Sequence, residues 1–195
     1  EPGLFIVDEL VYSHGFYQNH GELASAGEAY SRGIEMIVQK KMARNIYGLA
    51  SATWFRSRYR GGDGIWRDRA YDNRIIVALE GGYRPSHGWE MSLRWIYAGG
   101  SPYNPIDPAA SQVAHNTVLQ ASRINSERYP DYHALNIRAD RRFTFAHSSL
   151  VAYLSVWNAY NRKNVAGYFW NEAEQKADTV HQFGLLPIIG MEYEF

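Results

Sequence analysis

From Trp89 to Ala98 the chain reads WEMSLRWIYA, and its side chains divide by parity. Trp89, Met91, Leu93, Trp95 and Tyr97 fall on one side; Glu90, Ser92 and Arg94 fall on the other. A period of two marks a strand with one apolar and one polar face. Arg74–Tyr83 repeats it, with Ile75, Val77, Leu79 and Tyr83 against Arg74, Ala78 and Glu80. His133–Phe145 sets Leu135, Ile137, Ala139 and Phe143 against Asn136, Arg138, Asp140 and Arg142. Leu150–Asn158 puts Leu150, Ala152, Leu154 and Val156 together. Leu186–Phe195 alternates Pro187, Ile189, Met191, Tyr193 and Phe195 with Gly190, Glu192 and Glu194. Gly33–Met42 and Tyr47–Tyr59 read as two more strands, and Leu4–Tyr12 as a weaker first one. The pattern predicts an all-β chain of about eight strands.

The connections alternate in length. Those at Ala43–Asn45, Arg84–Gly88 and Ala146–Ser149 are short; those at Ser13–Tyr30, Arg60–Asp72, Gly99–Pro130 and Ala159–Gln182 are long. Short turns at one end and long loops at the other fit an antiparallel up-and-down transmembrane β-barrel, with the long loops outside the cell. A soluble β-sandwich also alternates, its apolar face forming a core. Three features favour the barrel. Trp89, Trp95, Tyr97, Tyr83 and Tyr193 stand near strand ends, as in an aromatic girdle. The polar parity carries Glu80, Arg94, Arg138, Arg142 and Glu192, which suits a wet lumen. The strands also exceed the usual length of about 5–6 residues.

Composition sharpens this picture. Of the 195 residues, 15 are Tyr, 8 Phe, 6 Trp and 17 Gly, which suits strands and turns. Lys+Arg and Asp+Glu are equal at 20 each, so no basic footprint for nucleic acid is present. Cysteine is absent. No apolar run approaches the roughly 18 residues of a spanning helix, whereas barrel strands need only about 9–11. No leader precedes Glu1, which reads as a cleaved chain or the C-terminal piece of a longer one.

Four stretches resemble the C-terminal barrel of TonB-dependent outer-membrane receptors: SRGIEMIVQKK (31–41), YAGGSPYNP (97–105), RYPDYHALNIRADRRF (128–143) and VWNAYNRKN (156–164). Asn136 stands where that family commonly has Asp. The terminal GMEYEF matches the family's ending on an aromatic, and the resemblance makes Tyr193 and Phe195 the signal read by the outer-membrane assembly machinery. It implies a 22-stranded barrel of which residues 1–195 form the C-terminal wall, the plug and TonB box being absent from this sequence. It further implies a Gram-negative outer membrane, contact with the lipid bilayer, and import of a nutrient ligand driven through the TonB complex. Glu80, Arg94, Arg138, Arg142 and Glu192 would line the lumen or hold the plug.

Candidate chemistry is sparse. The seven His lack metal-ligand spacing, His14 and His20 merely sharing a loop. Asp63, Asp68 and Asp72 do not have EF-hand spacing. Gly61, Gly62 and Gly64 form no phosphate-binding pattern. Ser149 and Ser155 lack a nucleophile-elbow context. Glu192 and Glu194 share a side and read as partners of arginines. No enzyme and no cofactor are expected. Binding is better supported: Trp66, Arg67, Asp68, Arg69, Tyr103, Asn104, Asp107, Tyr168, Phe169 and Trp170 lie in long loops, where aromatic and hydrogen-bonding groups suit ligand capture. Two alternatives remain: a small self-contained eight-stranded barrel with a structural or adhesive role, and a soluble β-sandwich binding module.

Overall fold

The computed structural model describes residues 27–85 and 88–195. In chain order its strands are β1 (Glu28–Ala43), β2 (Ile46–Arg60), β3 (Trp66–Asp68), β4 (Ile75–Tyr83), β5 (Trp89–Ala98), β6 (Pro102–Tyr103), β7 (Glu127–Arg128), β8 (Tyr132–Thr144), β9 (Ser149–Trp157), β10 (Val165–Asn171), β11 (Lys176–His181) and β12 (Leu186–Glu194). Among the described residues one helix, α1 (Pro108–Ala114), lies between β6 and β7. The chain is all-β, and one antiparallel sheet dominates it.

That sheet is a meander in the order β1-β2-β4-β5-β8-β9-β12, with β3 paired to the upper end of β2. The seven long strands match the expected ones closely. β1 starts five residues earlier than expected because Glu28 to Arg32 stay in register with Arg60 to Arg56. The weak first strand expected at Leu4–Tyr12 lies outside the described residues. The sheet is open: β12 does not pair with β1, so closure is not part of this structure.

Turn chemistry explains the tight hairpins. Arg44 and Asn45 both have positive φ, at 53° and 64°. This is the backbone a two-residue turn needs to match strand twist. Gly88, at φ 77°, lies against the Arg142 carbonyl, where a Cβ would approach to 2.5 Å. Only glycine fits there.

Register sorts the side chains into two faces. Across one run rows such as Ile34–Trp54–Ile75, Ala50–Leu79–Trp95–Leu135 and Gly81–Leu93–Ile137–Val156–Pro187. This apolar face is exposed: Ile34, Met36, Trp54, Leu93, Ile137, Leu154, Ile189 and Met191 all stand open. No charged side chain interrupts it between the Arg32–Arg56 row above and Lys40 and Arg141 below. Arg141 rests against Trp89 (5.3 Å) and Phe143 (5.4 Å). Lys40 donates to the Ala43 and Ile46 carbonyls at the hairpin tip. Among the described residues no second sheet covers either face, and the buried apolar residues are only Tyr59, Ile106, Ala134, Val151 and Trp170.

The opposite face is polar and self-paired. Glu80 meets Arg94 at 2.9 Å. Arg138 holds Asp140 at 2.5 Å and lies over the Tyr153 ring at 3.8 Å. Arg142 reaches Glu194 at 3.1 Å, and Ser149 donates to the same carboxylate. Two tyrosine rings lie flat on glycines: Tyr47 on Gly82 and Tyr153 on Gly190. A Cβ on Gly82 would sit 2.2 Å from the Tyr47 ring. The ring cannot swing away cheaply, because its hydroxyl donates to Glu90 at 2.5 Å and Arg84 lies over it at 5.6 Å. Gly82→Ala is therefore expected to destabilise the fold by about 1–3 kcal/mol. Gly81→Ala meets nothing nearer than 3.7 Å and is expected to be tolerated. Denaturant unfolding of the two variants checks this: equal midpoints would mean the Tyr47 lid is not a constraint.

Candidate functional site

All the long connections that the structure describes emerge at one end of the sheet. They are residues 61–74 between β2 and β4, 99–131 between β5 and β8, and 158–185 between β9 and β12. The short turns lie at the other end. The loop end is structured, not slack. β3 continues the β2 ladder, β6 pairs β7, and β10–β11 form a hairpin.

An arginine–aspartate hub ties these loops together. Asp72 is 0% exposed. It accepts from the Ser57 N–H at 2.7 Å and from Arg128 at 2.6 Å. Arg128 also donates to the Asp72 and Gly100 carbonyls and to Asp68. Asp68 is shared by Arg56, Arg58, Arg74 and Arg128, at 3.8, 3.2, 3.1 and 2.7 Å. Burial opposes ionisation of Asp68, yet the Arg128 and Arg74 hydrogen bonds outweigh it and hold the carboxyl below its usual range.

Asp63 shows the same logic at the surface. The Arg67 guanidinium (2.6 Å) and then the Ile65 N–H (3.0 Å) bring it from 3.8 down to about 2. A carboxylate with a depressed folded pKa adds stability that is present above its unfolded value and is lost as pH falls through the folded one. The 61–74 loop is therefore expected to loosen between about pH 4 and pH 2. Carboxyl NMR titration should place Asp63 low in the native protein and return it towards the ordinary value in Arg67→Gln. An unchanged value in that variant would remove the ion pair as the cause.

Aromatic rings form the second joint. Tyr103, Tyr129 and Tyr168 form a triangle with centroid separations of 4.4, 5.3 and 5.0 Å, linking the 99–131 loop to the β10–β11 hairpin. Burial, with the neighbouring Tyr168, raises the phenols of Tyr103 and Tyr129. Trp170 is 7% exposed. Its backbone N–H donates to Thr117 and its indole N–H to Glu172, which also meets His115 at 2.7 Å. Trp66 packs against Tyr30 (5.3 Å) under Arg60 (5.5 Å).

The loop candidates thus fall into two groups. Asp68, Arg67 and Arg69 belong to the β3 end, Arg69 through its N–H to Ser57 O. Tyr103, Asn104, Asp107, Tyr168 and Trp170 belong to the larger loops. Several have structural work. Asp107 is the N-cap of α1, accepting from the Ala110 N–H, with Pro108 opening the helix. Asn104 accepts from the Asn125 N–H at 2.7 Å. Trp170 anchors loop to loop and presents little surface. Phe169, on the other side of β10, is open. The expected polar-face residues Glu80, Arg94, Arg138, Arg142 and Glu192 do share one face. Tyr193 opposes Leu150 on the apolar face, with Phe195 at 6.3 Å.

Sequence reading missed Arg128, Tyr129 and Asp131. Asp131 accepts from the Tyr97 hydroxyl and the Gly100 N–H, which together hold its carboxyl low. The RYPD run was visible, but its partners are remote in sequence. His14 and His20 lie outside the described residues. Among the described residues no three His, Asp or Glu groups converge to hold a metal ion. Asp63, Asp68 and Asp72 face arginines instead. No protein-family model matches the chain, and no curated protein matches its sequence.

Proposed function

We propose that this chain is a wall segment of an outer-membrane β-barrel that imports a nutrient ligand, resembling the TonB-dependent receptors. The observation that carries the reading is the exposed, charge-free apolar band backed by an ion-paired polar face. In water such a band is an aggregation hazard; against lipid tails it is a matched surface. A ten-residue strand such as β5 is about 34 Å long, and a tilt of about 45° gives the roughly 25 Å height of a barrel's apolar band. Trp54, Trp95 and Tyr97 mark one border of the band, and Tyr83, Trp89, Phe143 and Tyr193 the other, where aromatics sit at a membrane interface.

The edges of β1 and β12, unpaired among the described residues, favour a segment of a larger barrel over a small closed one. The lack of a covering layer among the described residues weighs against a soluble sandwich. In this reading the polar face looks into the lumen and meets the plug, and the loop end captures the ligand. The residues act by binding and positioning; none is assigned a covalent step.

The test has two readouts on the full-length protein. It is expected in the outer-membrane fraction, folded in detergent and shifting in electrophoretic mobility on heating. Accumulation of its ligand, screened among iron chelates, cobalamin, glycans and peptides, is expected to stop when TonB is deleted. A soluble, unshifted protein would sink the barrel; uptake independent of TonB would sink the energised import.

A further inference from the structure

Immediately above the apolar band, the outward face turns cationic. Arg32 opposes Arg56 one row above Ile34 and Trp54. Arg74, at φ 65° just before β4, leaves the strand alternation and reaches Asp68, the register partner of Arg58 on this same face, at 3.1 Å. Like charges placed opposite one another on a sheet repel, and this pair has only the shared Asp68, 3.8 Å from Arg56, to offset it among the described residues. Arg56, Arg58, Arg74 and Arg128 share Asp68 and Asp72. With Arg32 that makes five arginines against two carboxylates, a surplus of three positive charges. Arg60 adds nothing to the surplus, being paired with Glu28 at 2.6 Å. Arg32 meets no carboxylate among the described residues and lies over the Tyr30 ring at 5.2 Å. The Arg56 and Arg74 side chains stay 45% and 49% exposed despite these pairs, so donors remain accessible.

We propose that Arg32, Arg56 and Arg74 form a docking rim for the phosphate-bearing headgroups of membrane lipids in the leaflet on the loop side. This rests on the barrel reading above, which puts the band in lipid and the rim at headgroup height. The guanidinium fork matches phosphate oxygens two at a time. Tyr30 and Trp66 beside the rim are the amphipathic rings that sit at such an interface. A basic cluster beside a membrane draws anionic lipid by roughly fivefold per arginine. The chemistry is that of a phosphate, and its position at the edge of the band assigns it to lipid instead of a free ion.

The experiment uses the full-length protein in nanodiscs that mix phosphatidylglycerol with phosphatidylcholine, with retained lipid read by native mass spectrometry. The native protein is expected to retain phosphatidylglycerol in preference. The triple variant Arg32→Gln/Arg56→Gln/Arg74→Gln is expected to lose that preference. Arg32→Gln alone breaks no ion pair among the described residues, should fold normally, and is expected to lower retention by about fivefold. Equal retention of both lipids by the native protein, or an unchanged preference in Arg32→Gln, would overturn the proposal. Displacement of the lipid by millimolar inorganic phosphate would overturn the lipid assignment. Heat-shifted mobility, recorded on the same samples, reports the barrel separately: a protein that folds as a barrel yet shows no lipid preference defeats only the rim.

Discussion

On the proposed barrel reading, Leu93→Arg is expected to cost about 2–4 kcal/mol of membrane-embedded stability and to deplete the heat-shifted form of the protein. Leu93 is the middle residue of the outward series Trp89, Met91, Leu93, Trp95 and Tyr97, and it sits between Gly81 and Ile137 in register. It is 49% exposed, with no partner layer over it. A guanidinium placed there has neither a carboxylate to meet nor a belt within easy reach, unlike Arg141, which lies between Trp89 and Phe143 at the border. The control is Ser51→Arg. Ser51 faces the other way, between Ile37 and Ala78, on the polar side. Ser51 is half-buried on an uncovered face, and surface substitutions there usually stay within about 0.5 kcal/mol. In lipid the two variants diverge strongly. If the apolar face met water, Leu93→Arg would be harmless or would improve solubility. Refolding titrations into lipid vesicles measure both, and equal costs would remove lipid from the account of this face.

The long strands were legible because alternation over nine to sixteen residues leaves little freedom of register. A slip of one residue would carry Leu93 and Ile137 to the charged side and Arg94 and Arg138 to the apolar side. The turns were legible where local chemistry demands them, as at Arg44–Asn45. Closure was not legible, because the alternation within each strand says nothing about which edges meet. The loops were harder for a related reason. The stretch Ala159–Gln182 reads as one connection, yet it contains the β10–β11 hairpin, whose short strands mix Gly, Trp and Asn without clean alternation. Asp107 followed by Pro108 is a local helix-start signal, and Asp107 caps α1. Arg128 lies 56 residues from Asp72, and no local pattern joins them. What the sequence made visible was therefore the sheet. The joints between its loops, where the candidate site lies, depend on long-range pairing.

Asp72→Ala is expected to have the largest effect at the loop end, about 3–5 kcal/mol of local stability, the usual cost of breaking one half of a buried ion pair. The substitution strands the Ser57 N–H, which has Asp72 as its acceptor at 2.7 Å. It also leaves Arg128 partly buried with Asp68 as its remaining carboxylate. Because Arg128 additionally holds the Asp72 and Gly100 carbonyls, the loosening should spread from residues 66–74 to 99–104. It should spare the apolar band, which shares none of these bonds. Hydrogen-exchange mass spectrometry on the full-length protein resolves the two regions. Arg128→Ala should open the same segments, and the double variant should cost clearly less than the two single losses added, since each single change leaves an orphaned buried group. Strict additivity would mean that Asp72 and Arg128 act through separate neighbours. If ligand capture depends on rigid loops, as the proposed function holds, Asp72→Ala should weaken ligand binding although Asp72 itself is sealed from any ligand. Binding that survives full opening of these loops would place capture elsewhere on the protein.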